Sequence, residues 1–168
     1  MVRQKKSLFL FVLLGLSLLS SACSSASVES MSGESSKANV ASDFTLKGVA
    51  GEQVSLSSFK GKNIVLLDFG ATWCPHCVTA IPRIKGIYEK YKKKGLEVIY
   101  IDIRESQEKV KALIEKFDIP YTVLIDEDGK VAKEYEIRGI PTMLLIDKDG
   151  SVIYRGHYIE EKIVKDAL

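Results

Sequence analysis

A Cys-x-x-Cys pair, Cys74 and Cys77, lies where an apolar run gives way to a helical pattern. Residues 64–67 are isoleucine, valine and two leucines, which is typical of a strand buried on both faces. After Cys77, apolar side chains recur at spacings of three and four, as on one face of a helix, at Ile81, Ile84, Tyr88 and Tyr91. The sequence therefore predicts a central strand followed at once by a helix, with both cysteines at the strand–helix junction.

The position at the strand–helix junction predicts different chemical roles for the two thiols. The first turn of a helix leaves backbone N–H groups unpaired and carries a partial positive charge, which stabilises an anion. The thiolate is the form of cysteine that attacks disulfides, so we expect Cys74 to be the nucleophile. Cys77, one turn deeper, would then attack the mixed disulfide and release the product. This thiol–disulfide exchange requires no bound cofactor and no metal.

Three other uses of the pair fit the sequence less well. A zinc site would need a second pair of ligands, and only Cys23 and His157 remain, neither with a partner at the usual spacing. Haem attachment would need a histidine directly after the second cysteine, where the chain has Val78. A structural disulfide across one helical turn would constrain little of the chain. Redox chemistry is therefore the interpretation that we adopt.

The chain resembles the thioredoxin superfamily, and within it the extracytoplasmic TlpA/ResA-like thiol–disulfide oxidoreductases. The resemblance covers roughly residues 40–168, and its motifs are residues 73–77, Pro82 and the later segment 139–142, Gly-Ile-Pro-Thr. It implies an α/β, thioredoxin-like fold. That fold is a central mixed β-sheet flanked by helices, with an N-terminal β-hairpin and a central βα insertion.

The same resemblance assigns roles near the second motif. Pro141 would be the cis-proline that faces the active site, with Pro120 as the rival position. Ile140 would offer its backbone to an extended substrate. Two residues depart from the TlpA/ResA pattern. Pro75 stands where a glutamate often follows the first cysteine, and Ala80 stands where an acid is frequent.

The residues beside the nucleophile are expected to tune it. His76 can be a cation near Cys74, which would lower the pKa of that thiol and stabilise the reduced form. Pro75 and His76 together form the dipeptide of the strongly oxidising DsbA-type proteins. An exposed histidine without a tuning role is the alternative. Trp73 would form part of an apolar docking surface.

Asp68 ends the apolar strand, where an unpaired carboxylate is costly. Burial would raise the pKa of its carboxyl group and let it exchange protons with Cys77, directly or through water. In thioredoxins, an acid at the matching position has that role. An ion pair with a lysine such as Lys62 is the structural alternative.

The N-terminal segment carries a targeting pattern. Residues 1–22 have a basic start, an apolar core and small residues before Cys23, as in a signal peptide. Residues 19–23 resemble a bacterial lipobox, so we expect cleavage before Cys23 and lipid modification of its thiol. Secretory cleavage after Ala22, which would leave a secreted or periplasmic protein, is the alternative.

The rest of the chain divides into a tether and one domain. Residues 23–39 are rich in serine and poor in large apolar side chains, which predicts a flexible tether. Residues 40–168 would form a single thioredoxin-like domain. With a lipid anchor, this domain would be held at the outer face of the bacterial cytoplasmic membrane.

Charge excludes one class of partner. Without the three cations of residues 1–22, the formal net charge of the chain falls from +2 to −1. This balance gives no electrostatic case for nucleic acid binding. We expect a monomer whose partners are protein thiols and disulfides.

Periodicity and turn residues predict the remaining elements. Two Ile-Pro segments, 119–129 and 140–150, each predict a strand ending in an Asp-x-Asp-Gly turn rather than a calcium site. The others are, in chain order, a hairpin around residues 48–51, a strand at 96–103, a helix capped by Ser106, an edge strand at 152–154 and a helix at 160–168.

These observations predict an extracytoplasmic protein-disulfide oxidoreductase. The resemblance favours a reductase fed by a CcdA-like membrane thiol carrier, and this is our first expectation. The Pro-His dipeptide favours the alternative, a DsbA-like oxidase that forms disulfides. A thiol peroxidase on the same fold is a second alternative, although it would need a lone peroxidatic cysteine behind a Pro/Thr-containing loop. A redox-inert binding module is the third.

Overall fold

A computed structural model describes residues 39–168, so the predicted signal peptide, Cys23 and nearly all of the tether lie outside the described residues. Along the described part, the helices and strands are β1 Thr45–Gly48, β2 Gln53–Ser55, β3 Ile64–Gly70, α1 Pro75–Tyr91, β4 Leu96–Ile103, α2 Gln107–Phe117, β5 Thr122–Asp126, α3 Lys130–Glu134, β6 Thr142–Ile146, β7 Val152–Gly156 and α4 Glu161–Ala167. Within this range, no helix is both long and apolar enough to cross a lipid bilayer.

The strands form one mixed sheet in the order β2-β1-β5-β4-β3-β6-β7. The three central strands β5, β4 and β3 run parallel, whereas β6, β7 and the β1–β2 hairpin pair antiparallel to their neighbours. Between β4 and β6 the chain adds α2, β5 and α3, and β5 pairs between β4 and β1. The predicted fold class is therefore confirmed, including the N-terminal hairpin, the central insertion and the edge strand near residue 152.

The strand that leads to the cysteines is buried on both faces. Ile64 and Leu66 of β3 pack into the apolar cluster on one side of the sheet, while Val65 and Leu67 pack into the cluster on the other side. All four side chains expose 3% or less of their surface, which explains their continuous apolar sequence. This packing fixes the carboxyl end of β3, from which the chain enters the active site.

Both Asp-x-Asp-Gly segments form the predicted turn, in which the glycine N–H donates to the carbonyl of the first aspartate, but the Asp126 and Asp147 side chains act differently. Asp147 accepts backbone N–H bonds from Asp149 and Ser151 at 3.0 and 2.8 Å, which closes the predicted turn. Asp126 instead accepts the N–H groups of Val131 and Ala132 at 3.2 and 2.8 Å. The second arrangement stabilises the start of α3, a helix that was not predicted from the sequence.

Candidate active site

The cysteine pair lies at the start of α1. Cys74 is the N-cap residue, and Pro75 occupies the first helical position, where its missing N–H leaves no donor unpaired. The helix thus begins before Cys77, which lies within its first turn. The two cysteines form a disulfide with their Cα atoms 5.3 Å apart.

The start of α1 places a hydrogen-bond donor beside the sulfur atom of Cys74. The backbone N–H of Cys77 donates to the Cys74 Sγ atom over 3.2 Å. Such a donor, at the positive end of the helix, stabilises a thiolate at Cys74 once the disulfide is reduced. The local geometry therefore supports Cys74 as the more acidic of the two thiols.

Both cysteines are buried, Cys77 slightly more than Cys74. Cys74 exposes 5% of its surface and Cys77 exposes 1%, and both pack with Ala71 and Ile140. Trp73, by contrast, is 66% exposed directly beside Cys74. A partner molecule would therefore meet Trp73 and Cys74 first, while Cys77 stays behind them.

The segment around Pro141 faces this site. The Ile140–Pro141 peptide bond is cis, and it is the one such bond among the described residues, so Pro141 rather than Pro120 is the cis-proline. The carbonyl oxygen of Ile140 lies 3.9 Å from the Cys74 Sγ atom. On the other side, the Nδ1 atom of His157 lies 2.7 Å from the Pro141 carbonyl oxygen. The fold thus brings together two motifs that are far apart in sequence.

Asp68 is a buried carboxyl group on the strand that leads to the cysteines. It exposes 1% of its surface, and its Oδ1 atom has no hydrogen-bond partner among residues 39–168. Burial raises the pKa of its carboxyl group to about 7, and the Arg83 guanidinium opposes this shift. The alternative partner, Lys62, donates instead to the Ser58 carbonyl at 3.1 Å. Asp68 can therefore hold or release a proton near neutral pH.

A second buried carboxyl group, Asp102, was missed in the sequence. It lies opposite Gly70 in the β3–β4 register and is fully buried, with neither carboxyl oxygen hydrogen-bonded within the described part of the chain. Burial, and to a lesser extent Glu105, raises the pKa of Asp102 to about 7. Asp102 follows an apolar strand run just as Asp68 does, so the same reasoning could have identified it.

Glu105 is a further residue beside the site that no sequence signal identified. Its carboxylate accepts hydrogen bonds from the Thr72 hydroxyl at 2.7 Å, from the Ser106 backbone N–H at 3.1 Å and from the Lys109 ammonium at 2.9 Å. The bonds from Lys109 and Thr72 contribute most to lowering the pKa of Glu105 to about 2. Ser106 is at the N-cap position of α2, as predicted, but its side chain makes no capping bond.

His76 lies exposed on the first turn of α1, on the wall of a groove that also contains Pro141 and His157. Its tuning role, like that of Pro75, stays a prediction. Within the described residues, no three His, Cys, Asp or Glu side chains lie close enough together to hold a metal ion.

A Cys-x-x-Cys disulfide at a helix start, a cis-proline across from it and a buried acid on the preceding strand define a redox site of the thioredoxin type. Residues 38–155 match the AhpC/TSA family. The chain belongs to this family and is a TlpA/ResA-like member of the thioredoxin superfamily.

Curated relatives fall into two groups. The thiol-disulfide oxidoreductase ResA of Bacillus thuringiensis subsp. konkukian is 36% identical over 97 residues, which cover 58% of this chain and 56% of the relative. ResA of B. thuringiensis strain Al Hakam is 33% identical over 136 residues, covering 79% and 78%. The chloroplastic peroxiredoxin Q of Triticum aestivum is 43% identical over 105 residues, covering 62% and 48%. The chain thus aligns with about half the length of the first of these and of the peroxiredoxin.

Solved structures agree with this assignment. A thiol:disulfide interchange protein of the thioredoxin family from Chlorobium tepidum superposes with a TM-score of 0.69 at 28% identity. The thioredoxin domain of a thiol-disulfide oxidoreductase from Bacteroides vulgatus superposes with a TM-score of 0.71 at 26% identity. Each alignment covers 78% of this chain and 97% of the other.

Proposed function

We propose that this protein is an extracytoplasmic thiol–disulfide oxidoreductase that exchanges disulfides with protein substrates. The observation that supports this most directly is the Cys74–Cys77 disulfide at the start of α1, with the Ile140 carbonyl 3.9 Å from Cys74. One sulfur is slightly exposed at the helix N-terminus and the other is buried one turn deeper. This is the arrangement that a two-step exchange requires.

In the reducing direction, the reaction starts from the dithiol. The Cys74 thiolate attacks one sulfur of a substrate disulfide, and the other substrate sulfur leaves as a thiolate that takes up a proton. Cys77 then loses its proton and attacks the Cys74 sulfur, which releases the second substrate thiol and closes the Cys74–Cys77 disulfide. The substrate gains two electrons, and its two thiolates take up two protons from the surroundings, which balance the protons that Cys74 and Cys77 lose. Asp68, with a pKa of about 7, is the group that we assign to accept the Cys77 proton.

The neighbouring residues bind the substrate. Trp73 provides an exposed aromatic surface beside the nucleophile. Ile140 offers its backbone to an extended substrate segment, and Pro141 orients that backbone. The substrate cysteine would then lie against Cys74.

For the direction of electron flow, we propose a reductase. The resemblance to the TlpA/ResA pattern in residues 73–77 and 139–142 supports this choice, and a CcdA-like membrane thiol carrier would restore the dithiol. The alternative is a DsbA-like oxidase, which the Pro75-His76 dipeptide favours. Lipid modification of Cys23 would anchor the domain at the outer face of the membrane. Membrane release of a Cys23→Ser variant, compared with the wild type by cell fractionation, tests the anchor.

The exchange itself is tested with single-cysteine variants. The reduced protein is mixed with a disulfide-containing peptide, and products are identified by mass spectrometry after acid quenching. We expect the wild type to reduce the peptide, Cys77→Ser to accumulate a mixed disulfide through Cys74, and Cys74→Ser to do neither at a comparable rate. An equally active Cys74→Ser variant would overturn the assignment of the nucleophile.

A thiol peroxidase is the second candidate, supported by the 43% identity to peroxiredoxin Q. The segment before Cys74 reads Asp-Phe-Gly-Ala-Thr-Trp, which has a threonine but no proline, so it does not match the Pro/Thr-containing loop expected before a peroxidatic cysteine. Consumption of hydrogen peroxide by the Cys77→Ser variant, with a thiol reductant, decides between the two. If Cys77→Ser consumes hydrogen peroxide as fast as it reacts with the disulfide peptide, the peroxidase is favoured.

A further inference from the structure

Two grooves meet at the active site. The first, which we name the His157 groove, has a volume of about 550 Å³ and is lined by His76, Arg83, Pro141, His157 and Tyr158, among others. The second, the Trp73 groove, has a volume of about 480 Å³ and is lined by Trp73, Arg104, Lys133 and Arg138, among others. Ile140 lines both, and its carbonyl oxygen faces Cys74. A polypeptide that crosses Ile140 would therefore extend into both grooves.

The charged side chains of these grooves are all basic. Neither groove is lined by an aspartate or a glutamate, although residues 39–168 contain equal numbers of acidic and basic side chains. Arg104, Lys133 and Arg138 form no ion pair with any carboxylate of the described residues. Glu136 lines an adjoining depression, but Arg138 and Arg155 line it too. The local charge is thus positive, and the exposed cations Arg104, Lys133 and Arg138 are available to a ligand.

Two of the arginines are already held in position. The Arg83 guanidinium lies 3.8 Å from the centroid of the Tyr158 ring and also donates to the Ile159 carbonyl. The Arg104 side chain packs against Gly129, where an added Cβ atom would come within 2.7 Å of the Arg104 Nε atom. Side chains that are ordered before binding lose less conformational entropy when a partner arrives.

Each groove also contains an exposed aromatic residue. Trp73 is 66% exposed in one groove and Tyr158 is 57% exposed in the other. Tryptophan, tyrosine and arginine are the residue types that dominate protein–protein binding energy. The composition of the grooves therefore fits a polypeptide rather than a small disulfide.

We propose that the two grooves select polypeptide substrates in which aspartate or glutamate flanks the reactive cysteine. This inference rests on the proposed function, because the cysteine must be exchanged at Cys74. Acidic side chains on one side of the cysteine would meet Arg83, and those on the other side would meet Arg104, Lys133 and Arg138. Attraction between these charges raises the association rate and disfavours basic segments.

The test compares peptides that share one internal disulfide and differ only in the residues flanking a cysteine: two glutamates, two glutamines or two lysines. The second-order rate of oxidation of the reduced protein is measured by tryptophan fluorescence at about 20 mM and about 500 mM salt. We expect the glutamate peptide to react roughly tenfold faster than the lysine peptide at low salt, with the ratio falling to about two at high salt.

Groove variants make the test specific. Lys133→Gln with Arg138→Gln should reduce the glutamate-to-lysine rate ratio at least about threefold. Lys62→Gln with Lys93→Gln removes the same charge near the opposite end of β3 and α1, and should leave the ratio unchanged. Because each ratio compares two peptides with the same variant, a change in overall activity or folding affects both rates equally and leaves the ratio unchanged.

The outcomes separate the two proposals. Equal rates for the three peptides, or a ratio that the groove variants do not alter, would overturn the substrate preference while exchange with all peptides preserves the proposed function. If the reduced protein reacts neither with the peptides nor with the neutral bis(2-hydroxyethyl) disulfide, the proposed function fails, and the preference fails with it.

Discussion

The Thr72 hydroxyl donates a 2.7 Å hydrogen bond to the Glu105 carboxylate. Thr72 lies two residues before Cys74, and Glu105 lies between β4 and α2, so this bond ties the entrance of the active site to the neighbouring strand. The loop that presents the nucleophile is thus supported from the side by a charged acceptor.

Replacing Glu105 should flatten the acid dependence of stability. The pKa of Glu105 is about 2 in the folded protein and about 4.5 for the unperturbed group. Its stabilising contribution is therefore complete above pH 4.5 and is lost as the pH falls to 2. We expect Glu105→Gln to be less stable than the wild type at pH 6 and to approach it near pH 2, as measured by urea unfolding. The exposed control Glu115→Gln should follow the wild type throughout, and an identical profile for Glu105→Gln would contradict the role of the bond.

Replacing Asp68 should have the opposite pH dependence. The folded pKa of about 7 lies above the unperturbed value of 3.8. The Asp68 carboxyl group therefore favours the folded state most below about pH 4, where it is protonated. This contribution to the free energy of unfolding is lost as the pH rises to 7. Relative to the wild type, Asp68→Asn should gain roughly 2–4 kcal/mol of unfolding free energy between pH 3.5 and pH 8.

The same variant tests the proton transfer from Cys77. We expect release of reduced peptide from the mixed disulfide to slow at least about tenfold in Asp68→Asn, with loss of an inflection near pH 7 in stopped-flow measurements. Asp149→Asn, an exposed turn variant, is the control. If the release rate of Asp68→Asn keeps the pH profile of the wild type, Asp68 has no role in the exchange reaction.

His76 should shift the reduction potential if it acts as a cation beside Cys74. A cation favours the thiolate and hence the reduced form, so its loss should lower the potential. For a reductase we expect a wild-type value near or below about −250 mV against a glutathione buffer, and a His76→Gln value lower by about 30 mV. A wild-type value near about −120 mV would favour the oxidase, and an unchanged or higher value in the variant would refute the tuning role.

His157 should support the substrate-binding segment. Its Nδ1 atom lies 2.7 Å from the Pro141 carbonyl oxygen, and a hydrogen bond of this kind contributes about 1 kcal/mol. His157→Phe should therefore reduce the second-order rate with a disulfide peptide about fivefold. His157→Gln, which can donate a hydrogen bond, should recover part of this loss. Equal rates for the two variants would show that the bond has no part in substrate binding.

Local sequence signals predicted most of the fold. The doubly buried run at 64–67 and the helical spacing after Cys77 identified β3 and α1, because burial on both faces and a 3.6-residue period leave few other solutions. The helix α3 was missed because its start depends on hydrogen bonds that the backbone N–H groups of Val131 and Ala132 donate to the buried Asp126 carboxylate. The similar segment at Asp147 forms only a turn, so the four-residue motif alone does not distinguish the two outcomes.

The site was predictable where one residue type implies one chemistry, and where a motif resemblance selected Pro141 as the cis-proline. Cys74, Cys77 and the buried Asp68 follow from reactivity and from the cost of an unpaired carboxylate. Glu105 and the groove cations follow from tertiary placement, because their partners and neighbours lie on other elements. No spacing in the chain indicates that Arg83 and Arg138 line grooves that meet at one residue.

The recessed position of Cys74 limits the shape of any partner. With only 5% of its surface exposed, Cys74 is almost completely covered by its surroundings, and a broad convex protein surface could not reach its sulfur. A partner cysteine must therefore arrive on a slender stretch of chain that can lie flat over the site. Nascent polypeptides, partly unfolded proteins and long surface loops meet this requirement, whereas a disulfide buried inside a finished domain does not.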